Sequence, residues 1–121
     1  MVNMDGRVLR PAGDVAGGQV GPATEFRFRQ AGDMVWGRYS GGAIRLGFVV
    51  GTSDGAALRL RYSHLNTAGE TASGHTVDRV EELADGRVRL HEAWQWDSRD
   101  GSGSSVLEEQ PIPARTGRDS A

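Results

Sequence analysis

Residues Arg87 to Asp97 read R-V-R-L-H-E-A-W-Q-W-D, and the alternation in this stretch decides the fold class. Val88, Leu90, Glu92, Trp94 and Trp96 fall on one phase of a two-residue period, and Arg87, Arg89, His91, Ala93, Gln95 and Asp97 on the other. That is the period of a half-buried β-strand, whose successive side chains point to opposite faces of the sheet. One carboxylate, Glu92, therefore shares the apolar face with two tryptophans. An ionised carboxylate left unpaired there is very costly, so it must be hydrogen-bonded, paired, solvated by interior water or protonated. Two readings stay open: an acid that faces a ligand, and a structural acid tied to a buried tyrosine, histidine or arginine.

Working outward, the same period recurs between turn residues. Arg7 to Ala12, after Asp5-Gly6, reads as a first short strand, and the glycine-rich stretch Gly13 to Pro22 as a loop without periodicity. Thr24, Phe26, Phe28 and Gln30 form one face of a second strand that ends at the turn Ala31-Gly32-Asp33. Val35, Gly37 and Tyr39 face inward on a third, with Trp36 in the opposite phase, before Ser40-Gly41-Gly42. Ile44, Leu46, Phe48 and Val50 are the expected inward face of the fourth strand, and Leu58, Leu60, Tyr62 and His64 that of the fifth. Thr71 to Asp78 is a polar strand with Ala72, Gly74 and Thr76 on one face. Val77, Val80, Leu83 and Ala84 also fit a helical stripe, which leaves a short helical turn before Asp85-Gly86 open. Ser104 to Gln110 is the last strand. Glu109 shares a phase with Leu107, which leaves a second interior acid open, with Glu108 in its place if the strand is read one residue out; a surface role for one or both is expected.

About eight strands joined mostly by hairpin-length turns, with no long helix, predict an all-β antiparallel up-and-down meander. Closing it into a calycin-like (lipocalin- or avidin-like) β-barrel removes the exposed edges. A β-sandwich is the alternative. Residues 1–110 are expected to form this single barrel domain and 111–121 a disordered C-terminal tail. The interior of an eight-stranded barrel is just wide enough to be filled by side chains or to hold one small ligand.

The 121-residue chain has no cysteine, and all its fourteen basic residues are arginine. Thiol nucleophiles, thiolate metal sites and disulfides are thereby excluded, as are lysine Schiff bases and a P-loop lysine. The formal charge of −2 gives no net pull toward nucleic acid or anionic membrane. The opening M-V-N-M-D-G-R has no apolar signal core, and no run approaches the roughly 20 apolar residues of a membrane span. A cytoplasmic protein with no membrane partner is expected. Paired arginines at Arg27 and Arg29, Arg59 and Arg61, and Arg87 and Arg89 fall on outer faces among acids, the pattern of a solvated surface rather than an RNA-binding stripe, so no nucleic-acid partner is expected. His64 falls inward whereas His75 and His91 fall outward, which denies a three-histidine metal site. No metal and no cofactor are expected. Gly101-Ser102-Gly103-Ser104 lies in a loop between strands, without the strand-to-helix turn a nucleophilic serine needs.

Four runs occur in a fixed order: Y-S-G-G-A-I-R-L-G from Tyr39 to Gly47, R-Y-S-H-L-N-T-A-G-E from Arg61 to Glu70, R-L-H-E-A-W-Q-W from Arg89 to Trp96, and S-V-L-E-E from Ser105 to Glu109. As a set they resemble a family of small bacterial proteins labelled N-acetylglutamate synthase, over nearly the whole chain from Asp5 to Glu109. The label implies acyl transfer to glutamate. Arg38 to Ala43 does match the Arg/Gln-x-x-Gly-x-Gly/Ala pattern that binds an acyl-CoA pyrophosphate at a helix N-terminus. The residues that follow, I-R-L-G-F-V-V-G, alternate as a strand, so a hairpin turn is expected there instead.

The candidate site residues are those on the inferred inner wall: Tyr39, Tyr62, His64, Glu92, Trp94 and Trp96. The leading expectation is a small-molecule ligand of amphipathic character in the barrel interior, with the tryptophans supplying apolar contact and the other four polar contact. With Phe26 and Phe28, the same aromatics can instead fill the barrel as core. A small enzyme is the second reading, in which His64 approaches Glu92 and the two act as acid and base. An outward Trp36 marks either an oligomer interface or the rim of a ligand mouth, so a homodimer acting as a structural or interaction protein is the third.

Overall fold

A computed structural model describes residues 2–13, 15 and 17–111. The strands are β1 (Val8–Pro11), β2 (Glu25–Ala31), β3 (Met34–Gly41), β4 (Ile44–Ser53), β5 (Ala57–Asn66), β6 (Thr71–Glu82), β7 (Val88–Trp96) and β8 (Ser102–Glu109). Each pairs antiparallel with the next, and β1 closes the ring on β8 through Leu9↔Glu109 to Pro11↔Leu107. The chain is thus a closed up-and-down barrel, not a sandwich. From residue 112 onward the expected tail lies outside the described residues.

The turns after β2, β4 and β6 gather at one end, and the long β1–β2 loop with the turns after β3, β5 and β7 at the other. The first end is closed by the segment before β1. Met4 is fully buried there with Leu9, Val35, Leu58 and Val88. Its N–H donates to the Gln30 side-chain oxygen at 2.8 Å, and Asp5 accepts from Arg29 Nε and the Gln30 N–H. A buried methionine stopper held by these bonds gives the apolar interior a floor.

Two expectations are overturned. The inward face of β4 reverses after its first residue: the pairing with β5 shifts register between Ile44 and Leu46. Ile44 stays buried, but Leu46, Phe48 and Val50 are 42%, 55% and 56% exposed. One extra residue at a bulge moves every following side chain to the other face, so Gly47, Val49 and Gly51 take the interior. Secondly, no helical turn forms across Val77 to Ala84, because β6 continues to Glu82 in register with Val88 of β7. Ladder hydrogen bonds to a neighbouring strand outcompete a local helical stripe. On the last strand Glu108 takes the outer face and Glu109 the interior beside Leu107, as a second interior acid. Arg7 donates to its carboxylate at 2.7 Å and the Val88 N–H at 3.0 Å, which compensates the burial.

Inside the ring, three large aromatics face glycines on the next strand: Tyr39↔Gly47, Tyr62↔Gly74 and Trp94↔Gly103. A Cβ at these glycines would fall 2.4 Å from the Tyr39 ring, 2.3 Å from the Tyr62 oxygen and 2.6 Å from the Trp94 ring. The rings therefore lie along the wall, over the neighbouring backbone, rather than projecting to the barrel axis. Space in the upper barrel is the consequence.

Candidate functional site

The half of the barrel away from Met4 encloses a cavity of about 60 Å³. Tyr39, Tyr62, His64, Glu92, Trp94 and Trp96 all border it, with Phe26, Phe28, Val49 and Leu60 on its deeper wall. A single water needs only about 10–15 Å³ of space of this kind, so there is room for several waters or part of a small ligand. Val15, Gly18, Gln19 and Val20 of the β1–β2 loop bound it on the mouth side.

His64 is buried and both its ring nitrogens are engaged: Nδ1 with the Tyr39 hydroxyl at 2.8 Å, and Nε2 with the Gln19 side-chain oxygen at 2.9 Å. Since that oxygen only accepts, and also accepts from Asn66 at 3.2 Å, the network fixes the tautomer. His64 donates through Nε2 and accepts the Tyr39 proton at Nδ1. Burial, and secondarily the positive charge of Arg99, lowers the His64 pKa and keeps the ring neutral. Burial likewise raises Tyr39, and it pushes Tyr62 up to about 12, with the Glu92 charge adding to both. The phenols thus remain hydrogen-bond donors, Tyr62 to the Gln95 carbonyl at 3.3 Å.

Glu92 is half-buried on β7. Its register neighbours are Asp78 on β6 and Ser105 on β8, so three polar side chains cross the inner wall in one row. The Ser105 hydroxyl donates to Glu92 at 2.8 Å. Asp78 is fully buried and accepts from Thr76 at 2.5 Å, while its second oxygen has no ordinary donor. The two carboxyls stand opposite each other across the β6–β7 pair, near enough for the charge of one to act on the other. Burial raises both pKa values, and the Glu92 charge raises that of Asp78 further. One shared proton, resident on Asp78, accounts for the arrangement: two desolvated carboxylates in contact do not both ionise.

Beside the row, the Trp94 indole N–H is buried with no acceptor. The Trp96 indole instead donates to the Gly17 carbonyl at 3.3 Å. Trp96 packs edge-on against Trp94, Tyr62 and His64, and the Arg99 guanidinium lies 5.3 Å over its ring.

The structure brings the six sequence-selected residues to one cavity, but it divides them into two networks. Tyr39 and His64 belong to a set with Gln19 and Asn66, and Glu92 to a set with Asp78 and Ser105. No hydrogen bond joins His64 to Glu92 among the described residues, so the pairing that the acid–base reading requires is not formed directly. Asp78 and Ser105 were legible in principle, since each continues an inward phase, that of Ala72, Gly74 and Thr76 and that of Leu107 respectively. Gln19 sits in an aperiodic loop and had no signal.

Outside the barrel, His75 meets Asp97 and His91 meets Glu81. Among the described residues no group of three or more His, Cys, Asp or Glu is placed to hold a metal ion. No helix among them is long and apolar enough to cross a membrane. Arg27, Arg61 and Arg89 pair with Glu25, Asp97 and Glu108 on the outer face. The acyl-CoA-like pattern Arg38 to Ala43 forms the end of β3 and the hairpin turn into β4.

The family model described as avidin-like protein matches residues 2–110. No curated relative matches the chain.

Proposed function

The chain belongs to the avidin-like protein family, and on that premise we propose that its barrel binds a small amphipathic ligand through the cavity wall. Trp94, Trp96 and the Tyr62 ring supply the apolar contact. Glu92 accepts from ligand donors, and the Tyr39–His64 pair with Gln19 frames the mouth. The observation that supports this most is the cavity itself, bordered by the half-buried Glu92 carboxylate and by the Trp94 and Trp96 side chains. A concave, mostly apolar wall with a few polar groups is the usual form of a small-molecule site. A panel of small amphipathic molecules, biotin among them, titrated against tryptophan emission tests the reading. A saturable change that Glu92→Gln or Trp94→Phe weakens is expected. An emission that no member of the panel alters, together with an interior found filled by side chains, contradicts it.

One further observation favours self-association. Trp36 on the outer face pairs across to Val50, and Phe48 and Leu46 continue the same outer row of β4, all beyond the bulge. Exposed apolar side chains in contiguous rows mark association surfaces. A second copy packing on β3 and β4 is the dimer reading, tested by sedimentation across a concentration series, where monomer throughout contradicts it.

A further inference from the structure

We infer that Gly17 and Gln19 of the β1–β2 loop occupy the polar subsite at the mouth of the cavity, and that a guest takes this subsite by displacing them. The guest then presents carbonyl-type oxygens of its own to the same donors: the Trp96 indole, His64 Nε2 and the Asn66 side-chain amide. This rests on the ligand-binding reading above and names the chemistry that the mouth selects.

The direction of each bond is fixed from the backbone outward. The Asn66 side-chain oxygen accepts from the Ala68 and Glu70 N–H groups, at 3.0 Å each, which turns its amide nitrogen toward Gln19. The Gln19 group that it meets is therefore the oxygen, and the same oxygen accepts from His64 Nε2. Two residues earlier, the Gly17 carbonyl accepts from the Trp96 indole at 3.3 Å. All three barrel groups donate, and both loop groups are amide carbonyl oxygens. Apolar contact follows the same division: Val15 packs against Trp94 and Trp96, and a Cβ at Gly17 would lie 3.6 Å from the Trp94 ring. The loop thus makes on the cavity wall the contacts that an amphipathic guest would make.

The loop is fastened at its ends and lightly seated between them. The Ala12 N–H donates to the Val106 carbonyl at 2.9 Å, and Gly21 exchanges bonds with Thr24, whose hydroxyl donates to the Gly41 carbonyl. Between these anchors, the described residues are hydrogen-bonded to the barrel only at Gly17 and Gln19, and two of those three bonds are 3.2 and 3.3 Å long. Gly17 has a φ of 76°, in the left-handed region that favours glycine, so the seated form depends on that residue. Exchanging neutral hydrogen bonds for others of the same kind is close to balanced, which leaves the apolar contact of the guest to decide. With the loop seated, the enclosed space of about 60 Å³ holds only several waters or part of a small ligand. A guest that covers both tryptophans has to move the loop.

The test compares the full chain with its Gln19→Ala and Gly17→Ala variants, at neutral pH, by calorimetry and by the Trp96 indole N–H resonance. The probes are propionamide, which reproduces the Gln19 head group, propionate and propylamine, at millimolar concentration. Propionamide, propionate or both should bind each variant about tenfold or more tightly than wild type, the scale of one released hydrogen bond, and shift the Trp96 resonance. The stronger of the two names the guest as amide or carboxylate. Propylamine, protonated and without an acceptor, should bind none of the three proteins. The two variants disturb the loop at separate points, so one that fails to fold leaves the other to decide. Binding to the variants that only equals wild type, or falls below it, would show that the loop clasps the guest instead of standing in its place. That result overturns the inference while leaving a ligand-binding barrel, as does a preference for propylamine. Silence of all three probes against the variants also overturns it, and only silence of the wider panel against wild type as well takes the ligand-binding reading with it.

Discussion

Glu109 and Glu92 occupy inward phases of adjacent strands, and the barrel accommodates them in opposite ways. At the closed end Glu109 faces Arg7 and the Val88 N–H, and Arg7 in turn donates to the carbonyls of Asn3 and Gly86. Burial there is compensated by a full positive charge that also ties the first residues to the β6–β7 turn. In the upper barrel Glu92 faces a serine and another acid, and the neighbouring indole has nothing to bond. The closed end is complete within the chain. In the upper end the two acids have no cationic side chain bonded to them and the Trp94 N–H has no acceptor among the described residues.

The largest effect is expected where the clasp is broken. Glu109→Ala leaves Arg7 and the Val88 N–H without their partner and should cost about 2–3 kcal/mol, below the full buried-pair figure because both side chains keep some exposure. A urea midpoint near that of wild type would show that the clasp contributes nothing. Next is Gly103→Ala, whose methyl meets the Trp94 ring. Overpacking of this kind costs about 1–3 kcal/mol. It should also shift Trp94 into the cavity, so loss of stability without any change in tryptophan emission would refute the ring-over-glycine arrangement.

The acid pair and His64 should leave opposite marks on stability against pH. Asp78 and Glu92 hold their proton in the fold above ordinary values of 3.8 and 4.5. Their contribution is therefore fully present below those values and is lost as pH rises through the raised ones. His64 is lowered from 6.5, so its contribution is present above that value and is lost as pH falls below it. Asp78→Asn should flatten the decline on the alkaline side and be at least as stable as wild type at neutral pH. His64→Gln should flatten the decline below about pH 6.5. Urea midpoints across pH decide both, and an unaltered slope in Asp78→Asn would rule out the shared proton. The smallest effect belongs to the outer face: Phe48→Ser with Val50→Thr should alter stability by no more than about 0.5 kcal/mol while abolishing any dimer seen in sedimentation.

Strand number, hairpin order and the inner face of β7 followed from the two-residue period, because each strand half-buries its own residues. The face of β4 did not follow, since a bulge is a backbone event that leaves the letters from Ile44 to Val50 looking like one unbroken alternation. Gly47, Gly74 and Gly103 likewise read as bends or turns until the pairing set each beneath an aromatic ring. For the site, periodicity found Glu92 and its neighbours along the chain. The partner acid Asp78 depends on register between β6 and β7, and Gln19 on how an aperiodic loop lies across the mouth; neither is a local property of the sequence. Glu109 shows the same limit from the other side, for its phase was readable and its partner Arg7, at the far end of the chain, was not.

The most direct measurement is a carboxyl-carbon NMR titration of Asp78 and Glu92. The account predicts two separated steps, both above the ordinary carboxylate range. Two independent titrations near 4 would contradict it.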